Sequence, residues 1–414
     1  MIVARTNYYW RKVRHAFASG NLLARLQRKV ATEVVTFLTI VPAYLRLPAS
    51  DKKLSVREGF RDHRQPLQSS IGSSRVDSEH ASRIIAAYRA AKSAQKTAPA
   101  PYQIRGVWAE WISINYGELV EALNSGQPDA LLRILENFSR DQLAVGTGGS
   151  YDDILRHQSP LFGSRYVRSV WCNYRNHLLE SGCNPSVLDY PVVGNPAGVV
   201  AYGSIVPIET LRHAYYAHSI VRLLLEVDRP VVVEIGGGFG GQGHQTVTQY
   251  ELSGRPFGKY LDFDIPEVLA VATYFLMKTF PARRFRLCGE GPVTTENCGD
   301  FDFGMFPHFM VEQLGDLSAD LVFNSHSFSE MDQEASSRYL LVIEKICKKY
   351  FMHINHDMPL EFREQGGSVR TNMPGSQLVP AERNFKRLYK GPSVLRRPED
   401  RLYRAFTYLY ERVV

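Results

Sequence analysis

Glu234 and the glycines that follow it are the first residues in the chain whose types and spacing could do chemistry. Residues 231–241 read Val-Val-Val-Glu-Ile-Gly-Gly-Gly-Phe-Gly-Gly, with glycine at 236, 237, 238, 240 and 241. Three β-branched residues lead into an acid and then into a stretch without side chains. That is the pattern of a buried parallel strand ending in a tight turn. A ligand can approach such a backbone closely, and the N–H groups opening the next helix point at it. The expected task is to hold a nucleotide-like cofactor. Gly236-x-Gly238-x-x-Gly241 satisfies the dinucleotide fingerprint, whereas Glu234-x-Gly236-x-Gly238-x-Gly240 satisfies the pattern of enzymes that use S-adenosylmethionine. Glu234 favours the second template, because a carboxylate there can pair with an ammonium group but would repel a pyrophosphate. A glycine-rich turn without a ligand is the bland alternative.

Two further stretches could complete a site. Tyr260-Leu-Asp-Phe-Asp-Ile-Pro-Glu-Val-Leu269 reads as a second strand ending at Asp264, with Pro266 opening a helix where its missing N–H costs nothing. A carboxylate at that strand end can accept hydrogen bonds from both hydroxyls of a ribose. Asp264 lies 28 residues after Gly236, farther than the roughly 20 of a dinucleotide site. Asp262 shares its strand face and ranks second, and a helix N-cap is the structural alternative for Asp264. Ala319-Asp-Leu-Val-Phe-Asn-Ser-His-Ser-Phe-Ser-Glu-Met331 then reads as a short strand over 321–323, a polar loop and a helix starting near Glu330. In open α/β sheets ligands sit beyond the carboxyl ends of the strands. His326 therefore falls where an acceptor meets the cofactor, and a neutral imidazole there can take a hydroxyl proton. Glu330 could orient it or bind acceptor hydroxyls. A loop histidine that only supports the next helix is the plain alternative.

Together Glu234-Ile-Gly-Gly-Gly-Phe-Gly240, Asp264-Ile-Pro-Glu-Val268 and Asn324-Ser-His-Ser-Phe-Ser-Glu-Met331 resemble the sugar O-methyltransferases of bacterial glycan clusters. Val193-Gly-Asn-Pro-Ala197 and Leu211-Arg-His-Ala-Tyr-Tyr216 are similar to that family's lead-in, so the resemblance spans roughly residues 190 to 360. It implies a class I methyltransferase fold and S-adenosylmethionine as cofactor. It also implies a sugar or glycolipid acceptor, His326 as general base, and a cofactor site of Glu234, Gly236, Gly237, Gly238, Gly240, Asp264 and Asn324. Ser327 departs from the wider group, which carries Asp there.

The elements that must position these residues are coarser to read. The expected fold is α/β: a Rossmann-like, mostly parallel sheet with an antiparallel final strand from about residue 201 to 414, after a largely helical region. Helical patterns run from 79 to 96, from Val107 to about Phe138, from Tyr166 to Leu179 and from Thr210 to Val227. Residues 65–200 are expected to cover the substrate side. Tyr350 to Asp357 reads as a fifth strand with His353 and Asn355 on one face and His356 on the other, a poor metal pair, so no metal ligands are assigned. Leu402 to Tyr410 fits the antiparallel strand.

Composition bounds the class. A chain of 414 residues with 44% hydrophobic residues can bury substantial cores. Five cysteines without a Cys-x-x-Cys argue against a disulfide framework or zinc ribbon and for a reducing, cytoplasmic setting. Residues 1–64 hold 13 Lys/Arg against 4 Asp/Glu, with aromatics between the basic clusters. Val34 to Leu45 is uncharged but, at twelve residues, shorter than the roughly 20 that span a bilayer. This arm reads either as a helix on an anionic membrane surface, peripheral at the inner face, or as a helix packed on the protein. Nucleic acid is not expected, since no binding motif accompanies the charge. Two other functions fit parts of the sequence, an NAD-dependent oxidoreductase and a non-catalytic, membrane-associated scaffold.

Overall fold

The computed structural model describes residues 34, 37, 38, 40–57, 75–140, 143, 162–295, 300–363, 369–393 and 405–413. Most of the basic arm therefore lies outside the described residues, as do the connection 144–150 and Cys298.

Thirteen described strands are labelled in chain order: β1 Ser55–Arg57, β2 Gly198–Ala201, β3 Ser204–Val206, β4 Val231–Ile235, β5 Lys259–Asp264, β6 Phe285–Leu287, β7 Phe303–Pro307, β8 Ala319–Ser325, β9 Cys347–His356, β10 Glu361–Arg363, β11 Val369–Thr371, β12 Phe385–Pro392 and β13 Ala405–Arg412. The main sheet has eight strands in the order β12-β13-β9-β8-β4-β5-β7-β6. From β6 to β9 every neighbour is parallel, while β13 runs antiparallel to both β9 and β12. The order reverses at β4, which has β5 on one side and β8 on the other, so the crevice beyond β4 and β8 is the topological switch point.

Alternate residues of the strands feed two cores, one on each face. Val232, Tyr260, Met305, Phe323 and Ile354 point to one face, and Val233, Ile235, Leu261, Phe263 and Phe351 to the other. Both faces are covered, which is why these strands read as continuous apolar runs. Each of these fully buried large side chains contributes about 1.5–3 kcal/mol relative to an exposed one.

The helices are α1 Arg75–Gln95, α2 Gly106–Asn115, α3 Gly117–Ser125, α4 Pro128–Leu135, α5 Gly163–Glu180, α6 Ile208–Leu224, α7 Gly241–Leu252, α8 Pro266–Thr279 and α9 Gln333–Ile346. The first face carries α6, α7 and α8, and α1, α3 and α4 join the same core. The ion pairs Lys92–Glu267 and Lys278–Asp77 tie α1 directly to α8. Among the described residues of 65–200, α1, α3 and α4 form an outer layer beside the sheet, while the segment from Pro101 to Trp108 and Phe138, whose ring packs on Phe239, reach the strand ends. The expected boundary at 200/201 falls within β2, which pairs with β1 and β3 in a small antiparallel sheet. That sheet was not legible because its strands are three or four residues long.

Helix boundaries also differ in instructive ways. The pattern from Val107 to Phe138 divides into α2, α3 and α4, broken at Tyr116 and again where Gly126 takes a left-handed φ of 75°. After β8 the chain makes a 3-10 turn over Ser327–Glu330, and α9 starts only at Gln333, with Asp332 accepting the Ala335 N–H as N-cap. Of the apolar stretch 34–45, Ile40 is buried against the core that holds Trp171, while Val34, Leu38 and Leu45 face solvent. Among the described residues, no helix is long and apolar enough to cross a membrane.

Candidate active site

The glycine turn takes its shape from its neighbours. Gly236 adopts φ 79°, and an added Cβ would overlap the Ser327 hydroxyl. At Gly237 the reason is space alone: an added Cβ would lie 2.5 Å from the Asp262 carboxylate. Asp262 is fully buried, and its Oδ1 accepts the Gly237 N–H at 3.2 Å. Asp264 binds the same turn one residue on, with Oδ2 accepting the Gly238 N–H at 2.8 Å and Oδ1 the Ile265 N–H at 2.6 Å. Asp264 is not the N-cap of the following helix, since Ile265 holds that place without a side-chain cap; each Asp264 oxygen spends one lone pair on the backbone and keeps another.

Glu234 lies beside Asp262 on the adjacent strand, since the two are register partners of β4 and β5. The Tyr260 O–H donates to Glu234 Oε2 at 2.6 Å. Period-two alternation puts Tyr260, Asp262 and Asp264 on one face of β5. Three carboxyls thus crowd one buried spot. Burial pushes Glu234 up to about 8 despite the Tyr260 hydrogen bond, and Asp264 up to about 7 despite its two backbone donors. Burial also drives Asp262 up, with the charges of Glu234 and Asp264 adding to the effect. A cation delivered here would find groups ready to ionise, whereas a phosphate would hold them protonated and gain no counter-charge.

Across the switch point, β8 delivers His326. Its backbone is left-handed at φ 66°, uncommon for a residue with a side chain. The conformation is held at both ends: its N–H donates to the Ile354 carbonyl at 2.7 Å, and its carbonyl accepts the Ser329 hydroxyl at 2.7 Å. The Ser327 hydroxyl donates to the Ile235 carbonyl at 3.2 Å, so this serine serves the turn. Asn324 is fully buried behind the same turn, its amide donating to the Ile235 carbonyl at 2.8 Å.

Glu330 meets an unforeseen partner. The Trp108 indole N–H, from α2, donates to Glu330 Oε2 at 2.8 Å, and burial pushes the Glu330 carboxyl up to about 7. A cavity beside this pair is lined by Tyr102, Ile265, His308, Met331 and Tyr339. The His308 ring donates from Nε2 to the Tyr102 carbonyl at 2.8 Å, fastening the 101–108 segment over the end of β7. Trp108 lies in an apolar helix whose pattern reads as core. His308 directly follows β7, and its place at a strand's carboxyl end was the one signal that could have marked it. The strand order sets Glu234, Gly236–Gly238, Asp264 and the His326 backbone at the adjacent carboxyl ends of β4, β5 and β8, and of the expected site residues Glu330 alone lines the cavity beside Trp108. Among the described residues no group of three His, Cys, Asp or Glu is arranged to hold a metal ion.

No family model and no curated protein matches the chain. Solved structures do align with it at low identity. Magnesium protoporphyrin IX methyltransferase from Synechocystis PCC 6803, crystallised with S-adenosylmethionine, is 12% identical. That alignment covers 51% of this chain and 88% of that one, with a TM-score of 0.30. The 1,6-didemethyltoxoflavin-N1-methyltransferase of Burkholderia thailandensis, with bound 1,6-didemethyltoxoflavin and S-adenosylhomocysteine, is also 12% identical, over 49% and 79% of the two chains with a TM-score of 0.31. An S-adenosylmethionine-dependent methyltransferase from Mesorhizobium loti is 13% identical, over 47% and 96% with a TM-score of 0.29. The fold follows from the strand order itself: a parallel sheet reversing at β4 and closed by an antiparallel β13 inserted between β9 and β12 is the Rossmann-like sheet of class I methyltransferases.

Proposed function

We propose that this chain is an S-adenosylmethionine-dependent O-methyltransferase acting on a sugar hydroxyl of a glycan, glycolipid or nucleotide-sugar precursor. The observation that carries the reading is the convergence, at one switch point, of an acid-backed glycine turn, a second-strand Asp264 bonded to that turn, and His326 on the adjacent strand end. The residues fit the cofactor. Gly236 to Gly238 leave the backbone bare, Asp264 keeps a free lone pair on each oxygen for a ribose, and Glu234 with Asp262 forms an acidic wall suited to an ammonium. The same wall argues against NAD, whose pyrophosphate would face it.

When bound, the cofactor supplies an electrophilic methyl group. Asp264 and Glu234 hold its nucleoside and amino-acid ends. Ile265, which directly follows Asp264, shares one cavity with Tyr102, His308, Met331 and Tyr339, and these residues would receive the base. His326 takes the proton from the acceptor hydroxyl, and Glu330, fixed by Trp108, orients a neighbouring sugar hydroxyl. The sugar acceptor rests on the resemblance of the three motifs. An anionic membrane surface as a second partner is supported by the charge of residues 1–64 and by the solvent-facing Val34, Leu38 and Leu45.

The test is calorimetric titration of S-adenosylhomocysteine, with NAD as control. Saturable binding of the first alone is expected. Binding of NAD alone would replace the reading with an oxidoreductase, and binding of neither would favour a scaffold.

A further inference from the structure

Three buried side chains link the glycine turn to the His326 loop, and the direction of each hydrogen bond between them follows from the ends of the chain. His353 Nε2 lies 3.1 Å from the Leu378 carbonyl, which can only accept, so Nε2 carries the proton and Nδ1 is bare. Asn355 Nδ2 donates to that Nδ1 at 3.3 Å and to Asn324 Oδ1 at 2.8 Å. Asn355 Oδ1 accepts the Ser329 N–H at 3.1 Å. Asn324 Nδ2 donates onward to the Ile235 carbonyl at 2.8 Å and to Ser327 Oγ at 2.5 Å. Reversing either amide would set oxygen against oxygen, so the network admits one arrangement.

We propose that Asn355 is a positioning residue that couples occupancy of the glycine turn to the placement of His326, an inference that rests on the methyl-transfer reading above. Ile235 precedes Gly236, and Ser329 holds the His326 carbonyl through both its N–H and its hydroxyl. Asn324, Asn355 and His353 are all fully buried, so none can exchange a lost partner for water. A shift of the Ile235 carbonyl when a ligand presses on the turn passes through Asn324 to Asn355 and on to Ser329. Gly236 and Ser327 touch directly, which closes the loop on the other side. Asn324, expected to bind cofactor, supports the turn from behind.

The experiment uses full-length protein with isotope-labelled histidines, S-adenosylhomocysteine as ligand, and His326→Ala and His353→Ala to assign the imidazole resonances. In the wild type the ligand shifts the His326 resonances, and His353 shows the Nε2–H tautomer. Asn355→Leu is expected to bind ligand within about threefold of wild type yet lose most of the His326 response. An unchanged response would overturn the coupling alone. A wild-type protein that binds no S-adenosylhomocysteine would overturn the methyl-transfer reading and the coupling with it. Should Asn355→Leu fail to unfold cooperatively, Asn355→Asp keeps the volume and the Ser329 bond, but a buried carboxyl can stay protonated and still donate to Asn324. The deciding second variant is therefore Asn355→Val, which has no donor; it is expected to lose the response, and retention of the wild-type response would overturn the proposal.

Discussion

Cofactor binding should release a proton, and the carboxyl cluster sets how strongly. Glu234 is buried, sits beside Asp262 and is pushed up to about 8, so near pH 7 the free protein holds it mostly protonated. A ligand ammonium favours the ionised form, and binding must therefore expel that proton. If Glu234 is the group concerned, its ionised fraction is about 1% at pH 6 and about half at pH 8, because each unit below the pKa costs about 1.4 kcal/mol. The affinity of S-adenosylhomocysteine should then rise by about 50-fold from pH 6 to pH 8. Calorimetry at pH 7 in two buffers of different ionisation enthalpy counts the protons, and nearly one should leave per ligand bound. Glu234→Gln keeps an acceptor for the Tyr260 hydroxyl but removes the ionisable group, and should flatten the pH dependence. The same carboxyl makes the stability of the unliganded protein depend on pH. Between the ordinary carboxyl value of 4.5 and about 8 the unfolded chain has lost a proton that the folded protein retains. Stability therefore falls as pH rises through that window, and Glu234→Gln should remove this part of the fall. Binding without proton release and with equal affinity at pH 6 and 8 would refute the reasoning.

Other substitutions probe the same crevice from different sides. Gly237→Ala puts a methyl group against the Asp262 carboxylate; it should lower stability by about 1–3 kcal/mol in denaturant titration and abolish S-adenosylhomocysteine binding. His326→Ala should leave that binding intact while slowing methyl transfer to a glycan acceptor by about 100-fold, read as radioactive methyl incorporation. Trp108→Phe retains the ring but not the indole N–H donated to Glu330. Since that bond holds the Glu330 carboxyl down against burial, its loss should move the Glu330 pKa upward, visible as an upward shift of the acidic limb of the rate profile. Leu38→Glu with Leu45→Glu should reduce sedimentation with anionic vesicles by at least tenfold, about 1.4 kcal/mol, and leave the weak association with neutral vesicles unchanged.

The parts of this molecule that declare themselves in sequence are those with a short-range physical signature. Three β-branched residues before a glycine run mark β4, and the acid–Ile–Pro step marks the end of β5, because strand burial and helix initiation are local demands. The strand order follows once those ends are fixed. What stayed hidden depends on contacts between distant segments. Nothing near Trp108 distinguishes a core indole from one that meets Glu330 in the crevice. Asn355 reads as a polar residue on a strand face; the register pairs Asn324 with His353, and only the folded side chains show that Asn355 donates to Asn324. The three-residue strand β1 has no periodicity to detect and exists because Gly198–Ala201 pairs with it.

The hydrogen bond from Trp108 to Glu330 joins residues 222 positions apart. As the ribosome makes the chain in order, the 101–108 segment emerges long before β8 and the turn that carries Glu330. Until then the indole lacks its acceptor, and no fragment ending before residue 330 can contain the Trp108–Glu330 pair. Contacts of such sequence separation close slowly, because the loop entropy must be met before any contact rewards it. Formation of this site should therefore be among the last events of folding, well after the helices of the outer layer have formed. It should also be the feature most exposed to interception by a chaperone that binds apolar segments of the nascent chain.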